Sequence, residues 1–245
     1  MGYIIKTSNA GTVWDTIQGV PSNNSFFDVH MISDTTAIVS SDNGLIYKVT
    51  PTGFSVDTLY DLMAGGSPLT IKDFDFETPV IGFAGGVTAG LSGLARTVDG
   101  GNNWEVRATN GFLDLNFDEV ACIDSLNVWG IENSPSPLEH ISYSNDGGFL
   151  WNSGFMWFST AKIVSLDFSI SGFGIVAQNL ELLYTIDSGM NWSTLLVAQP
   201  GFSGFSKVKI VNDSIVYIGG RDGIYKVFYP LSIGVSEHLT DFSRI

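Results

Sequence analysis

The sequence predicts an all-β protein, a β-propeller of four-stranded antiparallel blades. Three observations carry that reading. A short pattern recurs along the 245 residues, each period holds the same succession of alternating strands, and no segment has convincing helical periodicity.

The pattern appears as "TSNAGTVW" (7–14), "TVDGGNNW" (97–104), "SNDGGFLW" (144–151) and "TIDSGMNW" (185–192). Each copy reads Ser/Thr, any, Asp/Asn, any, Gly, any, any, Trp. The constrained residues are Thr7, Asn9, Gly11 and Trp14; Thr97, Asp99, Gly101 and Trp104; Ser144, Asp146, Gly148 and Trp151; Thr185, Asp187, Gly189 and Trp192. The starts lie 90, 47 and 41 residues apart, and 90 is close to two periods. A degenerate copy belongs near residue 50, where "GLIYKVTPTGF" (44–54) keeps Gly53 without the Asp or the Trp. One period after the last copy, "DGIYKVFYP" (222–230) repeats the "IYKV" of 46–49. Units therefore begin near 7, 49, 97, 144, 185 and 227.

Within a period the elements follow in order. A first strand alternates apolar and polar residues: "FFDVHMI" (26–32), "IKDFDF" (71–76), "DEVACI" (118–123), "IVSLDF" (163–168) and "FSKVKIV" (205–211). After a short turn comes a second: "TAIVS" (36–40), "VIGFAG" (80–85), "NVWGI" (127–131), "FGIVAQ" (173–178) and "IVYIGG" (215–220). A third strand runs into the recurring pattern and a fourth leaves from its Trp. Period-2 alternation, β-branched and aromatic enrichment and Gly/Asp/Asn turns mark each as strand. Four strands per repeat of this length is the propeller-blade signature.

The count gives five first strands, five second strands and six third strands, because residues 3–8 already read as a third strand. The chain thus starts inside a blade. Closure of a ring by strand exchange accounts for part of this and leaves one third strand over. Rings of six or seven blades need roughly 270–315 residues at this period. About five blades are therefore expected, as a piece of a six- or seven-bladed ring or as a five-bladed ring with one redundant strand. The propeller is assigned to 1–230 and a linker or tail to 231–245. An open arc would expose strand edges and favour association.

Each constrained column has a structural role. Glycine accepts a positive φ, Asp or Asn takes backbone N–H bonds in an Asx-type turn, Ser or Thr bonds the same loop, and Trp covers the hairpin. Ala10, Gly100, Gly147 and Ser188 occupy a column read as freely varying. Such scatter suits a turn better than a ligand site.

These residues resemble Asp-box (BNR) repeats, and the chain is similar to the Asp-box β-propellers. That superfamily includes sialidases, xyloglucan-active glycoside hydrolases, sortilin-type receptors and photosystem II assembly factors. The resemblance implies boxes on hairpin turns at the blade periphery, away from the binding face, and leaves function open. The tail "LSIGVSEHLTDFSRI" (231–245) resembles the linker and opening of the C-terminal sorting domain of type IX secretion in Bacteroidetes, ending before the expected "YPNP"-like segment. It implies a secreted or cell-surface bacterial protein.

Composition narrows the partners. A formal charge of −14 and a pI near 4.3 repel nucleic acid and anionic membrane surfaces. No apolar run is long enough for a membrane span, and no signal peptide is visible in the sequence. Cys122 is the single cysteine, in an apolar strand, and His30, His140 and His238 are scattered, so local spacing builds no metal cluster and no cofactor is expected.

Sialidases of this superfamily resemble one another in a three-arginine clamp and an N-terminal Phe/Tyr-Arg-Ile-Pro motif. This chain lacks the motif and has only Arg96, Arg107, Arg221 and Arg244, two of them beside boxes and one in the tail. A glycosidase needs only two suitably spaced carboxylates. The polar positions of the first strands supply candidates: Asp28, Asp73, Asp75, Glu119 and Asp167 as acids, with His30, Lys207 and Lys209 as binding groups. Carboxylates gathered near a propeller axis raise one another's pKa, as a general acid requires. The polar lining of a wet channel, with the lysines as charge balance, explains the same positions without chemistry and is preferred. In "GGRDG" (219–223), Arg221 and Asp222 are read as a hairpin cap, with ligand contact as the other reading. The expected function is a non-catalytic extracellular or surface propeller that binds protein or glycan. The alternatives are a glycoside hydrolase and an assembly-factor-like scaffold.

Overall fold

In the computed structural model, described for residues 3–19, 24–50, 53–58, 70–87, 93–107, 116–132, 141–153, 162–197, 204–221, 223–228 and 243–244, no α-helix occurs among these residues. The expectations for His140, Asp222 and His238, and for the tail apart from 243–244, lie outside them. Five four-stranded antiparallel sheets follow one another along the chain, preceded by a two-stranded sheet.

The N-terminal sheet pairs β1 (Ile5–Lys6) with β2 (Asp15–Thr16). The first full sheet is β3 (Phe26–Ser33), β4 (Thr36–Ser41), β5 (Leu45–Thr50) and β6 (Gly53–Thr58). The second is β7 (Thr70–Phe76), β8 (Gly82–Val87), β9 (Leu94–Thr97) and β10 (Glu105–Val106). The third runs β11 (Phe117–Cys122), β12 (Val128–Glu132), β13 (Ile141–Ser144) and β14 (Asn152–Ser153). The fourth runs β15 (Ile163–Phe168), β16 (Gly174–Gln178), β17 (Glu181–Thr185) and β18 (Ser193–Val197). The fifth is β19 (Phe205–Asn212), β20 (Ile215–Gly220), β21 (Gly223–Phe228) and β22 (Ser243–Arg244). Its outer strand comes from the 231–245 segment, with Lys226 paired to Ser243 and Tyr225 to Arg244.

These sheets are the blades the strand pattern predicts. First strands carry a register shift ahead of their central polar residue, between Phe26 and Val29, Ile71 and Asp73, Ile163 and Ser165, and Phe205 and Lys207. A bulge of this kind re-aims the side chains that follow it.

The chain divides into two compact units, Met1–Asp118 and Glu119–Ile245. In the first, Ile4 and Ile17 of the N-terminal sheet pack on Ala37, Val39, Tyr47 and Val49. On the opposite face of the first full sheet, Ile32, Ile38 and Ile46 meet Phe74, Ala84 and Trp104 of the second. In the second unit, Ala121, Ile123 and Trp129 meet Leu166 and Phe168. Phe173, Ile175 and Ala177 of the fourth sheet likewise meet Val208, Ile210 and Val216 of the fifth. The first and fourth sheets thus bury apolar side chains on both faces, which is why second strands such as "TAIVS" and "FGIVAQ" are nearly continuous apolar runs. Small residues make room for this packing: a Cβ on Gly174 would collide with the Phe168 ring, and one on Gly82 would stand 2.5 Å from that of Phe76.

Candidate functional site

The box turns share one geometry. In the second sheet the Thr97 hydroxyl donates to Asp99 Oδ1 at 2.9 Å and accepts the Gly101 N–H at 3.0 Å. Asp99 Oδ1 also accepts the Asn103 N–H at 2.8 Å. The same closures recur at Thr7–Asn9–Gly11, Ser144–Asp146–Gly148 and Thr185–Asp187–Gly189. The column read as freely varying is constrained after all. Ala10, Gly100, Gly147 and Ser188 all have φ between 54° and 77°, next to a glycine with φ between 76° and 92°. Only small residues stand there because two successive left-handed residues leave little room for a side chain. Their amides tie the box to its own sheet: Gly100 N–H donates to Val80 O, Gly147 to Leu126 O and Ser188 to Gly172 O, at 2.8–3.0 Å.

The boxes also lock neighbouring sheets. A Cβ on Gly101 would sit 2.5 Å from Ile38, and one on Gly189 would overlap the Trp129 ring. Lys48 of β5 donates to Asn102 at 2.8 Å and to Gly100 O at 3.3 Å. Trp104 and Trp151 are buried, and Trp192 meets Trp129 and Phe168 edge to face. Desolvation raises the carboxyls of Asp99, Asp146 and Asp187. Hydrogen bonds from the Asn103 side chain, the Leu150 N–H and the Asn191 side chain, with others from each turn, outweigh it and hold all three below the usual range. In the three later boxes all four columns are occupied by bonds and contacts within the protein, whereas Trp14 of the first box is exposed.

The acid candidates stand on the first strands. Asp28 Oδ2 accepts the Phe74 N–H at 3.0 Å, and Glu119 Oε1 accepts the Leu166 N–H at 3.0 Å. Asp167 Oδ2 accepts the Ile210 N–H at 2.5 Å. In each case a carboxylate reaches from one first strand to the main chain of the next, in place of a direct strand ladder. Ser165, which the sequence reading passed over, does the same. Its hydroxyl donates to Glu119 Oε1 at 2.7 Å and accepts the Val208 N–H at 3.1 Å. The alternation in "IVSLDF" sets Ser165 on the same side as Asp167, which was the available signal.

Lys209 pairs with Asp167 at 3.1 Å and Lys207 with Glu119 Oε2 at 3.3 Å. Desolvation raises the Glu119 pKa, against the attraction of Lys207 and bonds from Ser165 and Leu166. Asp73 and Asp75 are buried two residues apart on β7, paired in register with Gly85 and Phe83. His30 lies against Phe76, ring centroids 4.9 Å apart. Arg221 is exposed, with its amide on Gly204 O at 3.2 Å. Arg107 is buried and pairs with Glu105 at 3.1 Å. Among the described residues no group of three or more His, Cys, Asp or Glu side chains is placed to hold a metal ion.

Chemically, Asp28, Glu119 and Asp167 are acceptors for backbone amides, the last two also for lysines. Burial raises the Glu119 pKa in the direction a general acid needs, and its oxygens already bind Ser165, Leu166 and Lys207.

Solved structures place the architecture. The fold is a β-propeller. A YCF48 bound to D1 peptide aligns at TM-score 0.58 and 14% identity over 84% of this chain and 64% of its own. An ancestral GH74 enzyme aligns at 0.64 and 16%, covering 97% of this chain and 35% of its own. A catalytically inactive virginiamycin B lyase from Staphylococcus aureus with quinupristin aligns at 0.68 and 9%, covering 96% and 75%. The chain spans less than two thirds of the first two. No family model and no curated protein matches it.

Proposed function

We propose that the chain is a non-catalytic Asp-box β-propeller that binds a protein or glycan partner and is secreted or held at a bacterial cell surface. The observation that carries the non-catalytic part is the use of Asp28, Glu119 and Asp167 as bridges to the next first strand. A general acid must present its proton to a leaving group, whereas these oxygens face backbone amides of their own protein. Neighbours of the same fold include a peptide-bound YCF48, which supports protein binding as the readier of the two. The recurring turns with their Asp-box residues support the superfamily, and the "LSIGVSEHLTDFSRI" tail supports export.

The test is a panel of β-glucans, xyloglucan and sialosides read by reducing-sugar release, run beside glycan and peptide arrays. Saturable binding without release is expected. Turnover that disappears in Asp73→Asn or Glu119→Gln, with the fold intact, overturns the reading in favour of a glycoside hydrolase. Fractionation of the source cells tests export, and retention in the cytoplasm counts against it.

A further inference from the structure

We propose that the turns at one end of the third and fourth sheets form a docking surface for a partner protein segment that alternates apolar and basic side chains. This inference rests on the protein-binding reading and names the place and the chemistry of the contact. Six of the nine large apolar side chains exposed among the described residues of Glu119–Ile245 stand in these turns. They are Leu126, Phe149, Leu150, Ile170, Ile186 and Met190, exposed by 44–77%. Four of them occupy unconstrained columns of the boxes, and Leu126 and Ile170 lie in the turns between first and second strands. A turn that only closes a hairpin is served by polar residues at such positions. Here the constrained columns fix the turn while the free columns present apolar groups to solvent.

Contacts within the unit join these turns. The Gly147 N–H donates to Leu126 O at 2.8 Å, which sets the third sheet's box beside the turn between β11 and β12. A Cβ on Gly189 would overlap the Trp129 ring, so the fourth sheet's box seats against the start of β12, just past Leu126. The Ser188 N–H reaches Gly172 O at 3.0 Å, and that turn carries Ile170. Ser169 and Ser171 donate to Asp213 Oδ1 at 2.5 and 2.8 Å, which ties on the turn between β19 and β20. The apolar groups thus stand on one connected set of turns, held in place before any partner arrives. Groups fixed in advance lose little entropy on binding.

Charge selects the partner. Asp124, Asp146, Asp187 and Asp213 stand among the apolar groups, and no lysine or arginine occurs in 124–127, 145–150, 169–172, 186–191 or 212–214. Desolvation raises the Asp124 carboxyl, but bonds from the Asn127 side chain and the Leu126 and Asn127 amides outweigh it. Asp124 is therefore held below the usual range, like Asp146 and Asp187. Lys207 and Lys209 are paired with Glu119 and Asp167, and Lys162 and Arg221 stand at the opposite ends of their sheets. A partner that covers the apolar groups also removes water from these carboxylates, which is unfavourable without a cation opposite. A segment with Arg or Lys between its apolar residues meets both needs. An anionic membrane surface and a second copy of this chain, at formal charge −14, carry the wrong sign.

The probes are three synthetic peptides of equal length, Leu-Arg, Leu-Glu and Ser-Arg repeats, titrated into the full chain at physiological ionic strength. The Leu-Arg peptide is expected to bind saturably. The other two should bind at least about tenfold more weakly, the order set by burial of one leucine side chain. Leu150→Ser and Ile170→Ser should each weaken Leu-Arg binding about tenfold while the melting temperature holds, since both side chains are exposed. Leu180→Ser, exposed at the opposite end of the fourth sheet, should leave it unchanged. Absence of saturable Leu-Arg binding, equal binding of the Ser-Arg peptide, or binding that Leu150→Ser and Ile170→Ser retain overturns the proposal. So does sedimentation with phosphatidylcholine vesicles, or a concentration-dependent dimer, that those two variants abolish, since a neutral lipid surface or a second copy would then be the occupant. Peptide-array binding that both variants retain would overturn this surface alone, and glycan turnover would sink the non-catalytic reading without touching it.

Discussion

At the scale of single residues, side-chain oxygens carry much of the connection between strands that share no ladder. Glu119 holds Ser165 and the Leu166 amide, so Glu119→Ala leaves a buried donor unpaired. A loss of about 1–3 kcal/mol is expected in urea melts. Lys207 is half-exposed, and removing it should cost less than about 1 kcal/mol. The box aspartates give the pH dependence its sign. Asp99, Asp146 and Asp187 have lowered pKa values in the folded protein, so their stabilisation is complete above the unfolded value of about 3.9 and is lost as pH falls through the lower folded values. Asp187→Asn keeps the Oδ1 acceptor, as Asn9 does in the first box, and should cost only about 0.5–1.5 kcal/mol. Acid titration of its melting temperature should then be shallower than that of the parent. Glu119 works in the opposite direction. Its pKa is raised, so its contribution is fullest below the unfolded value and declines as pH rises through the folded one.

At the scale of elements, the box belongs to two sheets at once. It closes the third-to-fourth hairpin of its own sheet and seats Gly101 against Ile38, or Gly189 against Trp129, of the preceding one. Trp104 lies in the cluster shared by the first and second sheets, and Trp104→Ala should cost about 3–5 kcal/mol. Trp14 has the same position in its box but is exposed, so Trp14→Ala should stay within about 0.5 kcal/mol. Thermal melts of the two variants make the comparison directly, and equal losses would show that Trp14 is covered. The degenerate copy near residue 50 marks the limit of the motif: Thr50 pairs directly with Gly53, so β5 and β6 are joined without a box. Second-strand boundaries were legible to within about two residues, the usual fraying of such limits; "VIGFAG" (80–85) became Gly82–Val87.

At the scale of the whole molecule, Val29 and Met31 of the first four-stranded sheet are exposed, whereas Phe74, Val120, Leu166 and Val208, at the position of Val29 in the four later sheets, are buried. The sequence by itself determined the blades, their order, their strand alternation and the turn chemistry of the boxes, because these depend on local periodicity and on residues a few positions apart. Only the tertiary structure decided what Asp28, Glu119, Ser165 and Asp167 do. Their partners are amides 43 to 47 residues away, brought close by sheet stacking. A carboxylate that is to serve a substrate and one that is to receive a backbone N–H look alike in an alternating strand. Burial and the neighbouring main chain tell them apart, and neither is local in sequence.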